Sequence, residues 1–245
     1  MAKTPAYYGF WHHLGGWLLR LSAWLVLLFL ILPILVIVPL SFNVEPFFSF
    51  TEGMVTLQPE AFSLRWYREI FNDPRWLLAI KNSFIIGFFA TIVATVLGTC
   101  AAIGLARDDM PARRLITALL LSPMIVPLII TAAGMFFFYS GLGLAGTHVG
   151  VILAHAALGT PFVIITVTAS LTGFDYSLAR AALSLGATPL RVFFDVIMPL
   201  IRPGVISGAL FAFITSFDEV VVILFLAGPQ QRTIPRQMFS GLREQ

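Results

Sequence analysis

Charge divides this chain before any other feature does. No charged residue stands between Arg20 and Glu45, and within that gap Leu21 to Pro39 is almost wholly apolar. A second uncharged stretch separates Lys81 from Arg107, and a third runs from Ile116 to Phe174. A bilayer core takes ~20 apolar residues per helical crossing. Each of the first two gaps therefore predicts one span. The third, at ~1.5 Å per helical residue, is too long for one crossing and predicts two. The break between them belongs at Ser140–Gly146, where Gly141, Gly143 and Gly146 favour a turn over a helix. A fifth span opens after Pro203, which suits a first helical turn, and runs to Ala227. The predicted spans are thus about 21–42, 82–106, 116–139, 148–171 and 204–227, all within one helical domain over 1–245, with a patterned loop over 172–202.

The first span is read as retained. Its apolar run exceeds a signal-peptide core, and Ser41-Phe42-Asn43 offers no small-x-small cleavage site. Trp11, Trp17 and Trp24 around its start suit an interfacial anchor. The short loop with Arg107, Arg113 and Arg114 weighs more in the positive-inside rule than the longer connection with Arg65, Arg68, Arg75 and Lys81. The N-terminus and the loops 107–114 and 172–202 are accordingly placed in the cytoplasm.

Composition agrees with a lipid solvent. Of 245 residues 58% are hydrophobic and 11% charged, against roughly 25% charged in soluble domains, and the mean hydropathy is +0.92. That balance excludes a soluble globular fold. The formal charge of +3 comes from scattered basic residues rather than a phosphate-tracking stripe, so nucleic acid is not an expected partner. Cys100 is the only cysteine and forms neither an internal disulfide nor a ligand set.

Most catalytic signatures are missing. Only Lys3 and Lys81 are lysines, and neither follows the glycines of a phosphate-binding loop, so ATP-dependent work falls to a partner. His12, His13, His148 and His155 lack the glutamate spacing of a zinc protease, no metal site is assigned, and His155 is read as a packed histidine. Asp108 and Asp109, within Arg107–Arg113, resemble the paired aspartates that hold magnesium in membrane enzymes of diphosphate chemistry. The second acidic cluster such enzymes need is absent, since Asp175 and Asp195 stand singly, and the simpler reading is a charged turn.

The loop 172–202 reads as two short helices. Leu178, Ala181, Ala182 and Leu185 recur at helical spacing, Gly186 supplies a stop, and Leu190 to Met198 forms a second apolar-faced stretch ended by Pro199. Such a pair either offers a small-residue knob to a partner's groove or lies on the membrane surface. Ser63 to Phe71, with Arg65, Trp66, Arg68, Glu69 and Ile70, reads as an outer amphipathic helix that either receives a partner or rests on the interface.

Arg180-Ala181-Ala182, three residues to Gly186, nine residues, then Val196-Ile197-Met198-Pro199 resembles the E-A-A-x-x-x-G, nine-residue, I-x-L-P loop of ABC importer membrane permeases. Leu185-Gly186-Ala187-Thr188-Pro189, Ser216-Phe217-Asp218-Glu219-Val220, Leu226-Ala227-Gly228-Pro229 with Thr233-Ile234-Pro235, and Ser63-Leu64-Arg65-Trp66-Tyr67 are similar to the spermidine/putrescine branch. The resemblance implies an all-α polytopic helix bundle in a bacterial inner membrane, surrounded by lipid and acting as one permease subunit of a binding-protein-dependent importer. It implies a second, homologous permease, a dimeric cytoplasmic ABC ATPase that carries ATP and magnesium, and an extracytoplasmic solute-binding protein, with no cofactor and no catalysis in this chain. Arg180, Ala181, Ala182, Leu185, Gly186 and Pro199 would form the ATPase-coupling loop, and Arg65, Trp66 and Arg68 a binding-protein contact. Two departures stand out: Arg180 replaces the usual glutamate, and the sixth span usual in the family is expected to be missing.

Asp218 and Glu219 fall inside the predicted fifth span, where a central charge costs roughly 2.5–3.5 kcal/mol. On one helix they would point about 100° apart. They either line the pathway, favouring a polyamine or other organic cation, or hold the bundle together by hydrogen bonds. Phe136-Phe137-Phe138-Tyr139 is read as lipid-facing packing. Two other classes remain at this level: a proton-coupled carrier using Asp218 and Glu219, and a lipid or isoprenoid diphosphate enzyme using Asp108 and Asp109.

Overall fold

Lipid cannot satisfy backbone polar groups, so the apolar stretches must close their hydrogen bonds within helices. The structure, a computed structural model, describes residues 10–46, 49–107 and 109–243. Among these there is no strand, only an isolated bridge between Asn43 and Phe62. Cα packing divides the chain into two compact units, Met1–Asp73 and Pro74–Gln245, so the single domain expected over 1–245 is described in two parts.

The first unit opens with α1 (Phe10–Leu40), whose helix starts well before the apolar run. Its large apolar side chains are exposed along its length, as a lipid-facing helix requires. The chain then reverses around Asn43. The Asn43 side chain accepts from the Glu45 N–H at 3.0 Å and donates to the Ser49 carbonyl at 3.0 Å. Beyond it come α2 (Glu52–Val55) and α3 (Arg65–Asn72). The Trp66 indole N–H donates to the Asn43 carbonyl at 2.7 Å, and the hydroxyls of Tyr67 and Ser41 lie 2.7 Å apart. These bonds fasten α3 to the reversal.

In the second unit α4 (Pro74–Leu105), α5 (Arg113–Ile125), α6 (Leu128–Gly141) and α7 (His148–Thr172) lead into the loop helices α8 (Tyr176–Ser184) and α9 (Pro189–Val192). A π turn over Phe193–Ile197 joins α9 to α10 (Met198–Asp218), and α11 (Val221–Leu226) and α12 (Ile234–Arg243) follow. Trp11–Leu40, Pro74–Leu105, His148–Thr172 and Pro189–Asp218 are each long and apolar enough to cross a membrane; the bent α5–α6 pair makes five if it counts as one span.

Helices α4, α7 and α10 pack together around Ala90, Ala94, Ala102, Ala156, Val163, Val167, Leu171, Ile201 and Ala212. In lipid there is no hydrophobic drive between helices, so close backbone approach must supply the packing energy. Gly204 and Gly208, one turn apart on α10, provide it: a Cβ on Gly208 would stand 2.8 Å from the Val163 Cα, and one on Gly204 would overlap Ser170 and the Thr166 carbonyl. A second cluster joins Ile86, Ala132, Val151, Ala154, Leu158, Val222, Ile223 and Leu226, seating α11 against α6 and α7.

Four local expectations change. The predicted third span, 116–139, is two helices bent by 105°, because Pro127 drives Val126 to an extended ψ of 135°. The predicted fifth span, 204–227, instead starts at Pro189 and ends at Asp218; hydropathy continues past that point, but Glu219 is extended, at ψ 123°, and α11 restarts separately. Pro199 does not end the second loop stretch. It sits in the first turn of α10. Its missing N–H and ring would disturb an ordinary turn, and the widened turn just before it, closed by the Met198 N–H on the Phe193 carbonyl, absorbs the fault. Pro203 likewise lies inside α10 rather than at its start.

Candidate functional site

The residues singled out from sequence fall in three separate places. The first is the loop between α7 and α10. Asp175 caps α8 by accepting from the Ser177 N–H at 2.9 Å. That bond and the Ser177 hydroxyl hold its carboxyl below the usual carboxylate range, with a smaller contribution from the charge of Arg180. At the other end Gly186 adopts φ +88°. Its N–H donates to the Leu183 carbonyl at 3.0 Å while the Ala187 N–H reaches the Ala182 carbonyl at 3.1 Å. This pair of bonds is a Schellman closure, which needs a left-handed residue and hence favours glycine. Thr188 and Pro189 then start α9, the Thr188 hydroxyl accepting from the Arg191 N–H.

The closure leaves apolar side chains in the open. Leu185 is 89% exposed and Leu190 71%. Arg180 and Ala181 are also exposed and Ala182 is half-buried. Two capped short helices, a hydrogen-bonded turn and uncovered leucines form an apolar knob. Pro199 lies beyond it, at the foot of α10.

The second place is the end of α10. Asp218 is its last helical residue and is exposed. Glu219 is 7% exposed, and its Oε1 accepts from the Val222 N–H at 2.9 Å, capping α11. The two acids therefore do not share one continuous helix, contrary to the expectation from hydropathy. They sit on either side of a break, one open and one engaged. With Ile214 and Thr215 they line an open hollow of about 270 Å³. Behind it His155, 1% exposed, joins Nδ1 to the Ser216 hydroxyl at 2.8 Å, tying α7 to the last turn of α10. The sequence pattern marks His155 as packed but does not show its partner, although Ser216 opens the Ser216–Val220 motif.

The third place is α3. Arg65 pairs with Glu69 at 2.9 Å, both largely exposed, and its guanidinium lies 4.8 Å from the Trp66 ring centre. Trp66 is half-buried through its bond to Asn43, while Arg68 is exposed. Of the Asp108–Asp109 pair, Asp108 lies outside the described residues. Asp109 accepts from Arg107 Nε at 2.9 Å and from a terminal guanidinium nitrogen at 2.7 Å. The hydrogen bond and then the charge of Arg107 lower the Asp109 carboxyl's pKa, which is the chemistry of a closed ion pair in a turn. Phe137 and Phe138 are exposed, while Tyr139 packs against the second core cluster.

A further polar group was not legible from spacing. Asn82 on α4, 2% exposed, contacts His148 at the start of α7 and the segment after α11.

Comparison with known proteins bears on these places together. The family of binding-protein-dependent transport system inner membrane components matches residues 94–242, which include the α10 break and the whole loop 172–202. The spermidine/putrescine transport system permease protein PotC of Haemophilus influenzae is 32% identical over 212 residues, 86% of this chain and 79% of that one. The putrescine transport system permease protein PotI of Escherichia coli is 32% identical over 222 residues, 88% and 76% of the two chains. The trehalose transport system permease protein SugB of Mycobacterium tuberculosis is 33% identical over 202 residues, 82% and 72%. Among solved structures, a bacterial ABC transporter that imports the acidic polysaccharide alginate contains a chain matching with a TM-score of 0.71 at 19% identity, covering 96% of this chain and 81% of that one.

Proposed function

This chain belongs to the family of binding-protein-dependent transport system inner membrane components, and from that premise we propose that it carries a polyamine or related organic cation across the membrane. It is a multi-pass inner-membrane permease subunit of an ABC importer rather than an enzyme. The family implies an ATPase, a binding protein and a second permease as partners. In our reading the knob at Arg180, Ala181, Ala182, Leu185 and Gly186 docks in a cleft of the dimeric cytoplasmic ATPase, with Pro199 transmitting its movement into α10. Arg65, Trp66 and Arg68 on α3 face the solute-binding protein. The observation that carries the coupling reading is the Schellman-closed turn with Leu185 uncovered. A rigid knob transmits a rigid-body shift without catalytic groups.

The cationic solute is supported by the exposed Asp218 carboxylate on an otherwise apolar helix end, since an acid in a partly dehydrated path favours an amine over a neutral solute. Identity alone does not choose the solute, because the trehalose permease is as similar as the polyamine permeases. Glu219 supports the path differently, by fixing the break from which Asp218 projects.

The test is co-purification of the tagged chain in mild detergent. The wild type is expected to bring an ATPase and a second permease in fixed stoichiometry. Replacing Ala181 and Ala182 by Phe, or Gly186→Val, is expected to lose the ATPase and keep the second permease. Retention of the ATPase by both variants, with the chain still monodisperse, would refute the docking assignment.

A further inference from the structure

The segment that follows α11 is held to the helix bundle by a chain of side-chain hydrogen bonds whose directions are all fixed. Asn82 Nδ2 donates to the carbonyls of Gln230 at 2.8 Å and Arg232 at 2.9 Å. Those two acceptors decide the amide orientation, so Asn82 Oδ1 is an acceptor. It lies 3.1 Å from His148 Nε2, which must therefore carry a proton. On the far side of the ring the Gln231 side chain is also fixed. Its Oε1 accepts from the Gly228 N–H at 3.1 Å, which leaves Nε2 as a donor toward His148 Nδ1 at 3.5 Å. The chain runs Gln231 Nε2–H to His148 Nδ1, and His148 Nε2–H to Asn82 Oδ1. It closes only when the imidazole is neutral and protonated at Nε2.

We propose that this Gln231–His148–Asn82 chain is a proton-sensitive clasp that holds the segment from α11 to α12 against α4 and α7 and loosens it at Gln231 when His148 takes up a second proton, while the Asn82 bonds to the carbonyls of Gln230 and Arg232 persist. A proton on Nδ1 would set two N–H donors against each other, so the Gln231 contact turns repulsive. Gln231 is 7% exposed, and displacing it also strips the Gly228 N–H of its acceptor. Beyond α11 the other ties on the segment are neutral or cationic: the Ile234 N–H on Ser83 Oγ at 2.9 Å, the Gly146 N–H on the Leu226 carbonyl at 2.8 Å, and Arg236 on the carbonyls of Ala227 and Gly228; α11 itself is held at Val222 by the Glu219 carboxylate.

No carboxylate hydrogen-bonds the His148 ring, whose partners are Asn82 and Gln231. Among the described residues of α4, α5, α6, α7, α11, α12 and the segment 227–233 there is no aspartate or glutamate. The charged groups of α4, α12 and that segment are Arg75, Lys81, Arg232, Arg236 and Arg243, all cations, and Tyr139 is the titratable group of α6. Helix α10 brings Asp218 and Glu219, and Glu219 is engaged in capping α11. His148 itself is half-buried, so water can deliver the proton. Histidine is the side chain that changes charge between about pH 5 and 8. The clasp lies at the starts of α4 and α7, the end that the charge asymmetry of the loops assigns to the outer face.

Hydrogen exchange by mass spectrometry on the full chain, with its co-purified partners, in lipid nanodiscs without solute or ATP, tests the clasp apart from transport. Once rates are corrected for intrinsic exchange, amides of Val222–Ile234 are expected to lose protection about tenfold between pH 7.5 and 5.5, with Val151–Val167 unchanged. His148→Gln removes the titrating ring and is expected to show no such step. Gln231→Glu gives protonated Nδ1 an acceptor and is expected to keep or raise protection on acidification. No step in the wild type, or the same step in both variants, overturns the clasp and leaves the importer assignment standing.

Discussion

At residue 208 a single missing side chain decides how closely two helices lie. A Cβ there would meet the Thr166 hydroxyl at 2.5 Å and the Val163 Cα at 2.8 Å, and the Val163 backbone does not yield without moving α7. Gly208→Leu is therefore expected to lower the thermal midpoint of the detergent-solubilised protein, by the equivalent of about 1–3 kcal/mol of overpacking. Gly134→Ala on α6, where nothing lies within 4 Å, is expected to leave it unchanged; equal shifts in both would dissociate stability from this contact. The sequence carries a usable sign here, since small residues four apart mark close helix approach, and Ala90, Ala94, Gly98 and Ala102 repeat it along α4. Charge spacing locates the spans without drawing on this sign. Asn82 and His148 are less accessible. Each is one polar residue at the edge of an apolar stretch, and only folding sets 66 residues of separation aside to bring them within 3.1 Å.

The elements that depart from the sequence pattern do so at prolines and acids. Hydropathy is blind to Pro127 because valine and proline are both tolerated in an apolar window, yet the backbone of Val126 cannot remain helical before it. It is equally blind to the end of α10, since Phe217 and Val220 to Leu226 keep the window apolar around the acid pair. The helix stops where Glu219 turns extended, at ψ 123°, and its carboxylate takes the Val222 N–H in the first turn of α11. Glu219→Ala is expected to weaken α11 by about 0.5–2 kcal/mol, the usual cost of a lost cap, read as faster hydrogen exchange over Val222–Leu226. Glu219→Gln keeps an acceptor and should recover most of the protection; no difference between the two would argue against the cap. The loop helices are the contrary case. Asp175, Gly186, Thr188 and Pro189 are local signals with local causes, and the turn at Gly186 stands where the sequence put a stop.

For the molecule as a whole, the exposed Asp218 at the break is where the proposed solute preference can be examined. Asp218→Asn is expected to cut ATP-driven putrescine uptake by reconstituted complex about tenfold or more, while the proposed ATPase docking at the Gly186 loop stays intact. Collapse of the proton gradient at constant ATP should change neither the wild type nor the variant; sensitivity to it would favour the carrier reading instead. The sequence by itself determined the lipid solvent, the all-α class and the local turn at Gly186. Each of these follows from composition or from short-range spacing along the chain, where helix geometry alone sets who neighbours whom. Tertiary structure alone decided that α4, α7 and α10 form the close-packed core, that Glu219 is engaged while Asp218 stays open, and that Asn82, His148 and Gln231 meet. Those outcomes rest on which faces pack and on whether a buried polar atom finds a partner far along the chain, since a buried donor left without one costs about 1–3 kcal/mol.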